Sequence, residues 1–257
     1  MTVEERVFPE RHPYLFVGLV TALIIAVYLT AGTADYFFHF GGLGVYAVAN
    51  GVLAVVLALV ITALGWWRKV GFRPVGRREW VWLLPMSLPV LLNFYPGLAP
   101  GGLGTVLGFL VLAGLVGFVE EAAFRGLMLQ GLKRVGQRRA VVITTVLFSI
   151  THLMNMMAGE GALQAVLQLC YTAAIGFAFT AYALRTGAIW PLIIVHALID
   201  FVAFMQDAAL PVPPVVEITM AGVVTAWFVA WGCYLMTRRQ GAPQAVDLPT
   251  PAAAVRR

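Results

Sequence analysis

Charge is what this sequence has least of. Asp, Glu, Lys and Arg make up 11% of its 257 residues and apolar residues 61%, whereas a soluble domain is about a quarter charged and about half apolar. The deficit excludes a water-soluble globular fold and makes the bilayer the main solvent. Bases outnumber acids, 17 to 12. In a soluble chain that excess would suggest nucleic acid. Here the bases sit in short segments between apolar runs, which points to membrane topology and to no nucleic-acid partner. Cysteine is scarce too. Cys170 and Cys233 fall inside apolar runs with no partner at metal-site spacing, so both read as packing residues. There is no H-E-x-x-H, no G-x-S-x-G and no cysteine beside a histidine. Local support for a zinc site or a serine or cysteine nucleophile is therefore missing. Neither end carries a myristoylation or prenylation motif.

Long apolar runs are abundant. A membrane-crossing helix needs about 20 apolar residues, and eight runs qualify: 14–33, 44–66, 80–98, 103–131, 139–157, 162–184, 188–206 and 214–236. The expected fold is all-α, a polytopic membrane bundle of about eight transmembrane helices. The first run is too long for a signal-peptide core, and the segment before it mixes acids with bases, so it is expected to be retained. Pro85, Pro89 and Pro96 predict a kinked or partly re-entrant third span. Gly101, Gly104, Gly108, Gly114 and Gly117 in the fourth predict close helix packing. The chain divides into a cytoplasmic N-terminal tail (1–13), a transmembrane domain (14–238) and a disordered cytoplasmic tail (239–257) rich in Pro and Ala.

The loop charges alternate. Arg68, Lys69, Arg73, Arg77 and Arg78 follow the second span, Lys133, Arg134, Arg138 and Arg139 the fourth, Arg185 the sixth, and Arg238 and Arg239 the eighth. The other loops hold Asp35, Glu160, Asp207 and Glu217 and neither Lys nor Arg. The positive-inside rule then places both termini in the cytoplasm, and the short loops and Arg/Ala-rich tail suit a bacterial inner membrane.

One base escapes this sorting. In "VEEAAFRGLM", Arg125 lies within the fourth span beside Glu120 and Glu121. A charge in mid-bilayer costs about 2.5–3.5 kcal/mol on insertion scales and faces the bundle interior as a rule. Glu121 and Arg125 are four apart and share a helix face, so they can pair. Glu120 is rotated by about 100° from Glu121 and is the carboxylate left over. A carboxylate in such a setting can be poised as a general base. A fixed salt-bridge cluster, with Arg125 snorkelling to the interface, is the bland alternative.

Two more spans carry ionisable groups: His152 in "FSITH", and His196 with Asp200 in "HALID". Each stretch has i, i+4 spacing, so Asp200 can accept a hydrogen bond from His196 and fix its tautomer. His12 and His39 lie in a tail and a loop and read as solvated. Spans four, five and seven thus predict one shared polar cavity. A carboxylate with two histidines supports water activation for amide hydrolysis, a zinc site, or an ion pathway, and spacing does not choose among them.

The stretches "EEAAFR", "FSITH" and "HALID", in that order on separate spans, resemble the E-E-x-x-x-R, F-x-x-x-H and H-x-x-x-N/D motifs of the CPBP family of Rce1-like intramembrane proteases. The resemblance covers a core of about 100–205. It implies a glutamate-dependent endopeptidase acting on a membrane-associated peptide or protein. Glu120 would activate water, Glu121 and Arg125 would orient and tune it, and His152 would assist at the water or the oxyanion. His196 and Asp200 would complete the oxyanion side, with Asp200 chiefly orienting His196. No cofactor is expected. Zinc held by Glu120, His152 and His196 is the alternative chemistry, and a non-catalytic scaffold or immunity protein of the same family the alternative function. Substrate identity and oligomeric state are not legible.

Overall fold

The computed structural model describes residues 7–39, 41–154, 161–207, 209–210 and 212–237. The tail expected to be disordered (239–257), residues 1–6 of the N-terminal tail, Glu160 and Arg238 lie outside the described residues. The described chain is an all-α bundle. Its elements are α1 (Phe8–Arg11), α2 (Pro13–Phe38), α3 (Gly42–Ala63), α4 (Trp67–Val70), α5 (Arg77–Leu83), α6 (Leu88–Leu92), α7 (Leu103–Glu120), α8 (Leu129–Leu132), α9 (Gln137–Thr151), α10 (Ala162–Thr186), α11 (Trp190–Phe204) and α12 (Pro214–Thr237).

Five of these units are long and apolar enough to cross a bilayer: α2, α3, the continuous helix Leu103–Val135 that includes α7 and α8, α10 and α12. This is an integral membrane protein. The eight expected spans are not all full-length. The third breaks into α5, a 3-10 turn at Leu84–Ser87 and α6, because Pro85 and Pro89 each remove a backbone donor. The fifth and seventh become α9 and α11 of 15 residues each, about 22 Å long at 1.5 Å per residue and so shorter than a hydrocarbon core of about 30 Å. Arg185, expected in a loop, sits in the last turn of α10 and donates to the Leu235 carbonyl at 3.0 Å.

The long helix through Leu103–Val135 is the axis of the bundle. Residues 121–132 are buried on every side, as expected of a central helix rather than an amphipathic one. α11 and α3 pack along α7, and α10 packs on α9 and α12. Of the glycines singled out in the fourth span, one makes the close approach expected. A Cβ on Gly117 would lie 2.9 Å from the Ile193 carbonyl oxygen, whereas Gly104, Gly108 and Gly114 face open space. Gly117 therefore sets the α7–α11 distance one turn before Glu120.

Between α7 and α8 the helix changes type. Glu121–Met128 is a π-helix of 8 residues. Such segments are rare, occur mostly as single turns, and cluster at functional sites. Here the wider turn falls on the charged stretch that the sequence marks as anomalous.

Candidate active site

The site is built on the α7–π junction, the C-terminal end of α9 and the middle of α11. Glu121 and Arg125 form a salt bridge of 2.8 Å with side-chain exposures of 0% and 1%. Arg125 does not snorkel. Its guanidinium lies 4.0 Å over the Phe148 ring and 5.4 Å from that of Phe179, a cation–π arrangement that strengthens when desolvated. Gly176 of α10 leaves room for this stack, since a Cβ there would come within 3.0 Å of the Phe148 ring.

His196 is the hub. Its Nδ1 lies 2.8 Å from Glu121 Oε1, the same oxygen that accepts from Arg125. A carboxylate accepts, so Nδ1 carries the proton and Nε2 faces the other way. Glu120 Oε2 and Asp200 Oδ2 each stand 3.6 Å from Nε2. That separation is beyond a normal hydrogen bond. The group that orients His196 is therefore Glu121, not Asp200 as its i, i+4 spacing suggests. Spacing along α11 places Asp200 on the right face, but the π-turn brings Glu121 closer. Phe148 and Phe179 present their rings edge-on to the imidazole at 6.2 and 6.0 Å.

His152 is fixed by its own helix. Its Nδ1 lies 2.7 Å from the Phe148 carbonyl, and its ring packs edge-on to Phe148 at 4.8 Å. The carbonyl accepts, so Nδ1 donates.

A cavity of about 1260 Å³ meets this cluster. Glu120, His152, His196 and Asp200 line it, whereas Glu121 and Arg125 do not. The two adjacent acids are thus separated: Glu121 is neutralised in a dry layer and Glu120 faces open space. Glu120 Oε2 is buried with no hydrogen-bond partner among the described residues, as is Asp200 Oδ2. Among the described residues no three His, Cys, Asp or Glu side chains are gathered as a group that could hold an ion.

The cavity also takes in helices that carry no expected site residue. Tyr28 of α2 donates to Asn50 Oδ1 of α3 at 2.8 Å, and Asn50 donates to the Tyr46 carbonyl at 2.9 Å. All three line the cavity, with Asn93 of the turn after α6 and Gln168 and Phe179 of α10. A buried asparagine in the apolar run "VYAVANGVLAVV" was the available signal for Asn50. Nothing in the sequence marks Phe179 or Gly176.

The motif core falls where the comparisons place it. No curated protein matches the chain. Residues 102–202, which hold Glu120, Glu121, Arg125, His152, His196 and Asp200, match the family described as type II CAAX prenyl endopeptidase Rce1-like.

Proposed function

We propose that this protein is a glutamate-dependent intramembrane endopeptidase of a bacterial inner membrane, with both termini cytoplasmic and a membrane-associated peptide or protein as substrate. The observation that carries the reading is the separation of the two acids. Glu121 is held by Arg125 and His196, while Glu120 faces the cavity with an oxygen that has no hydrogen-bond partner among the described residues.

In this reading Glu120 takes a proton from a water molecule as its oxygen attacks the scissile carbonyl carbon. The carbonyl electron pair moves onto oxygen, and the resulting oxyanion is stabilised by the imidazoles of His152 and His196. As the C–N bond breaks, the protonated Glu120 returns its proton to the leaving nitrogen. Glu121 fixes the tautomer of His196, and Arg125 holds the Glu121 carboxylate in place. Asp200 faces Nε2 of His196 from the side opposite Nδ1 and balances positive charge that develops on the ring. The six residues stand on α7, the π-helix, the C-terminal end of α9 and α11, so the reacting groups are carried by the helical scaffold.

The test compares purified parent and Glu120→Ala protein on a membrane peptide in proteoliposomes. Loss of cleavage with retained folding is expected, and equal turnover would sink the role given to Glu120. Chelator treatment separates the metal-dependent variant: activity lost on chelation and restored by zinc would replace the metal-free mechanism.

A further inference from the structure

We infer that the cavity holds its substrate by the peptide backbone, in a locally unwound stretch, through the side-chain amides of Asn93 and Gln168. The inference deepens the protease reading above and rests on it.

The side-chain amides are not scattered. Among the described residues, Asn50, Asn93, Gln164, Gln168 and Gln206 line the cavity, and Gln130 and Gln137 do not. They come from α3, the turn after α6, α10 and the turn after α11. A carboxamide set against hydrocarbon without a partner costs free energy, so a wall that gathers carboxamides fits a polar ligand better than a lipid chain. Nor does the wall suit an anion. Its charged side chains are the acids Glu120, Asp200 and Glu217, with no Lys or Arg among the described lining residues. A peptide backbone has the complementary chemistry: it is neutral, and each residue brings a donor and an acceptor.

Three of the five amides serve the wall itself. Asn50 is tied to Tyr28 and Tyr46, Gln164 donates to Glu217 at 3.3 Å, and Gln206 donates to the Asn93 carbonyl at 2.9 Å. Asn93 and Gln168 stand beside the reacting cluster, on two different walls. The Asn93 side chain donates to the Ile199 carbonyl at 3.1 Å, on α11 between His196 and Asp200. With the Gln206 bond, the turn that carries Asn93 is fastened to α11 at two points, so the amide is held in place before any ligand arrives. Gln168 belongs to the turn of α10 that packs on α9. Thr172 donates to its carbonyl at 2.6 Å, and Ser149 donates to the Leu169 carbonyl at 2.8 Å. Ser149 is one turn before His152, so Gln168 flanks the cluster from the His152 side. A primary amide has two N–H donors and an acceptor oxygen, and the bond to Ile199 uses one donor of Asn93. A substrate helix would pair its own backbone groups and offer these amides nothing. An unwound stretch exposes both kinds of group on either side of the scissile bond. Such a subsite is indifferent to substrate side chains, and selection falls on segments that unwind easily.

The test pairs side-chain variants with backbone variants. The probe is the membrane peptide used for Glu120→Ala, labelled with a fluorophore. It is made in an all-amide form and in forms with one amide near the scissile bond replaced by an ester, which lacks the N–H. Binding is measured in nanodiscs by fluorescence anisotropy, on a Glu120→Gln background that leaves the peptide intact. Gln168→Met and Asn93→Leu should each weaken binding of the all-amide peptide roughly fivefold, the worth of one hydrogen bond. Each should also remove the sensitivity to an ester at one position, leaving the two peptide forms within about twofold of each other. Equal weakening of every peptide form, with ester sensitivity kept, is what a merely structural role gives, and it overturns the inference. Unchanged binding in both variants overturns it too. Asn93→Leu also cuts the tie to Ile199, so if that protein fails to fold, Gln168→Met decides. Binding as expected with a peptide that the parent never cleaves would overturn the protease reading alone. Cleavage by the parent with unchanged binding in both variants would overturn the subsite alone.

Discussion

The two halves of the bundle are built differently although the same long helices run through both. In the half next to the basic segments, the π-helix and α8 are sealed on all sides, and even a guanidinium is fully enclosed. In the other half the same helices diverge around about 1260 Å³ of open space. The boundary between them passes between two consecutive residues, Glu120 and Glu121. Their identical chemistry is put to opposite uses because the helix turns Glu121 into the packed layer and Glu120 toward the hollow. Each half therefore makes its own kind of prediction: changes in the packed layer should unfold the protein, and changes in the hollow should disable it.

The largest effect is expected from breaking the packed layer. Arg125→Met would leave Glu121 in a dry site with His196 Nδ1 as its remaining partner, and removal of one partner of a buried pair costs about 3–5 kcal/mol. Thermal unfolding in detergent should show a collapse of the folded fraction. An unchanged midpoint would mean that the layer is wetter than its 0% and 1% exposures indicate. Across the boundary, Glu120→Gln should do the reverse. Loss of a general base typically lowers turnover by about 10²–10⁴. The midpoint should shift by less than about 4 °C, roughly 1 kcal/mol for a chain of this size. A large fall in stability on Glu120→Gln would erase the distinction between the two acids.

Gly117→Val strains the boundary itself. The added carbons meet the Ile193 carbonyl, which a Cβ alone would approach to 2.9 Å, and α7 must move from α11. Overpacking of this kind costs about 1–3 kcal/mol. Because His196 lies on α11 and both acids on the α7 side, cleavage should fall further than stability does. Gly114→Val, where a Cβ meets nothing within 4 Å, serves as the control and should leave both nearly unchanged.

Which of these features were legible in the sequence follows from the forces that made them. Apolar runs follow directly from the solvent, so the all-α membrane bundle and the break at Pro85 and Pro89 could be read without coordinates. The pairing of Glu121 with Arg125 was legible because i, i+4 contacts are local. The partner of His196 was not. Asp200 has the right spacing within α11, yet the contact is made by Glu121, 75 positions away in sequence, through a π-turn that no periodicity announces. The contribution of α2, α3 and α10 to the cavity was missed for a related reason. Counting ionisable groups of the carboxylate and imidazole kind finds the reacting cluster, but the walls of a cavity are set by helix divergence, which depends on packing between distant segments.

The smallest effect should come from the part of the cavity wall formed by α2 and α3, and it bears on how wet the hollow half is. Tyr28→Phe removes the donor to Asn50 Oδ1, a bond of 2.8 Å to a side chain whose residue is 1% exposed. In a sealed core an orphaned acceptor costs about 1–3 kcal/mol. Tyr28 lines the cavity, so if the cavity holds water a molecule can replace the lost hydroxyl, and the cost should fall to about 1 kcal/mol or below. The double variant Tyr28→Phe with Asn50→Leu sharpens the reading. It removes donor and acceptor together, so in a dry wall it should recover most of the single-variant loss, whereas in a wet wall it should recover little. Thermal midpoints of the parent, both single variants and the double variant give the coupling between the two side chains directly. A coupling well above 1 kcal/mol would place α2 and α3 with the packed layer rather than with the hollow.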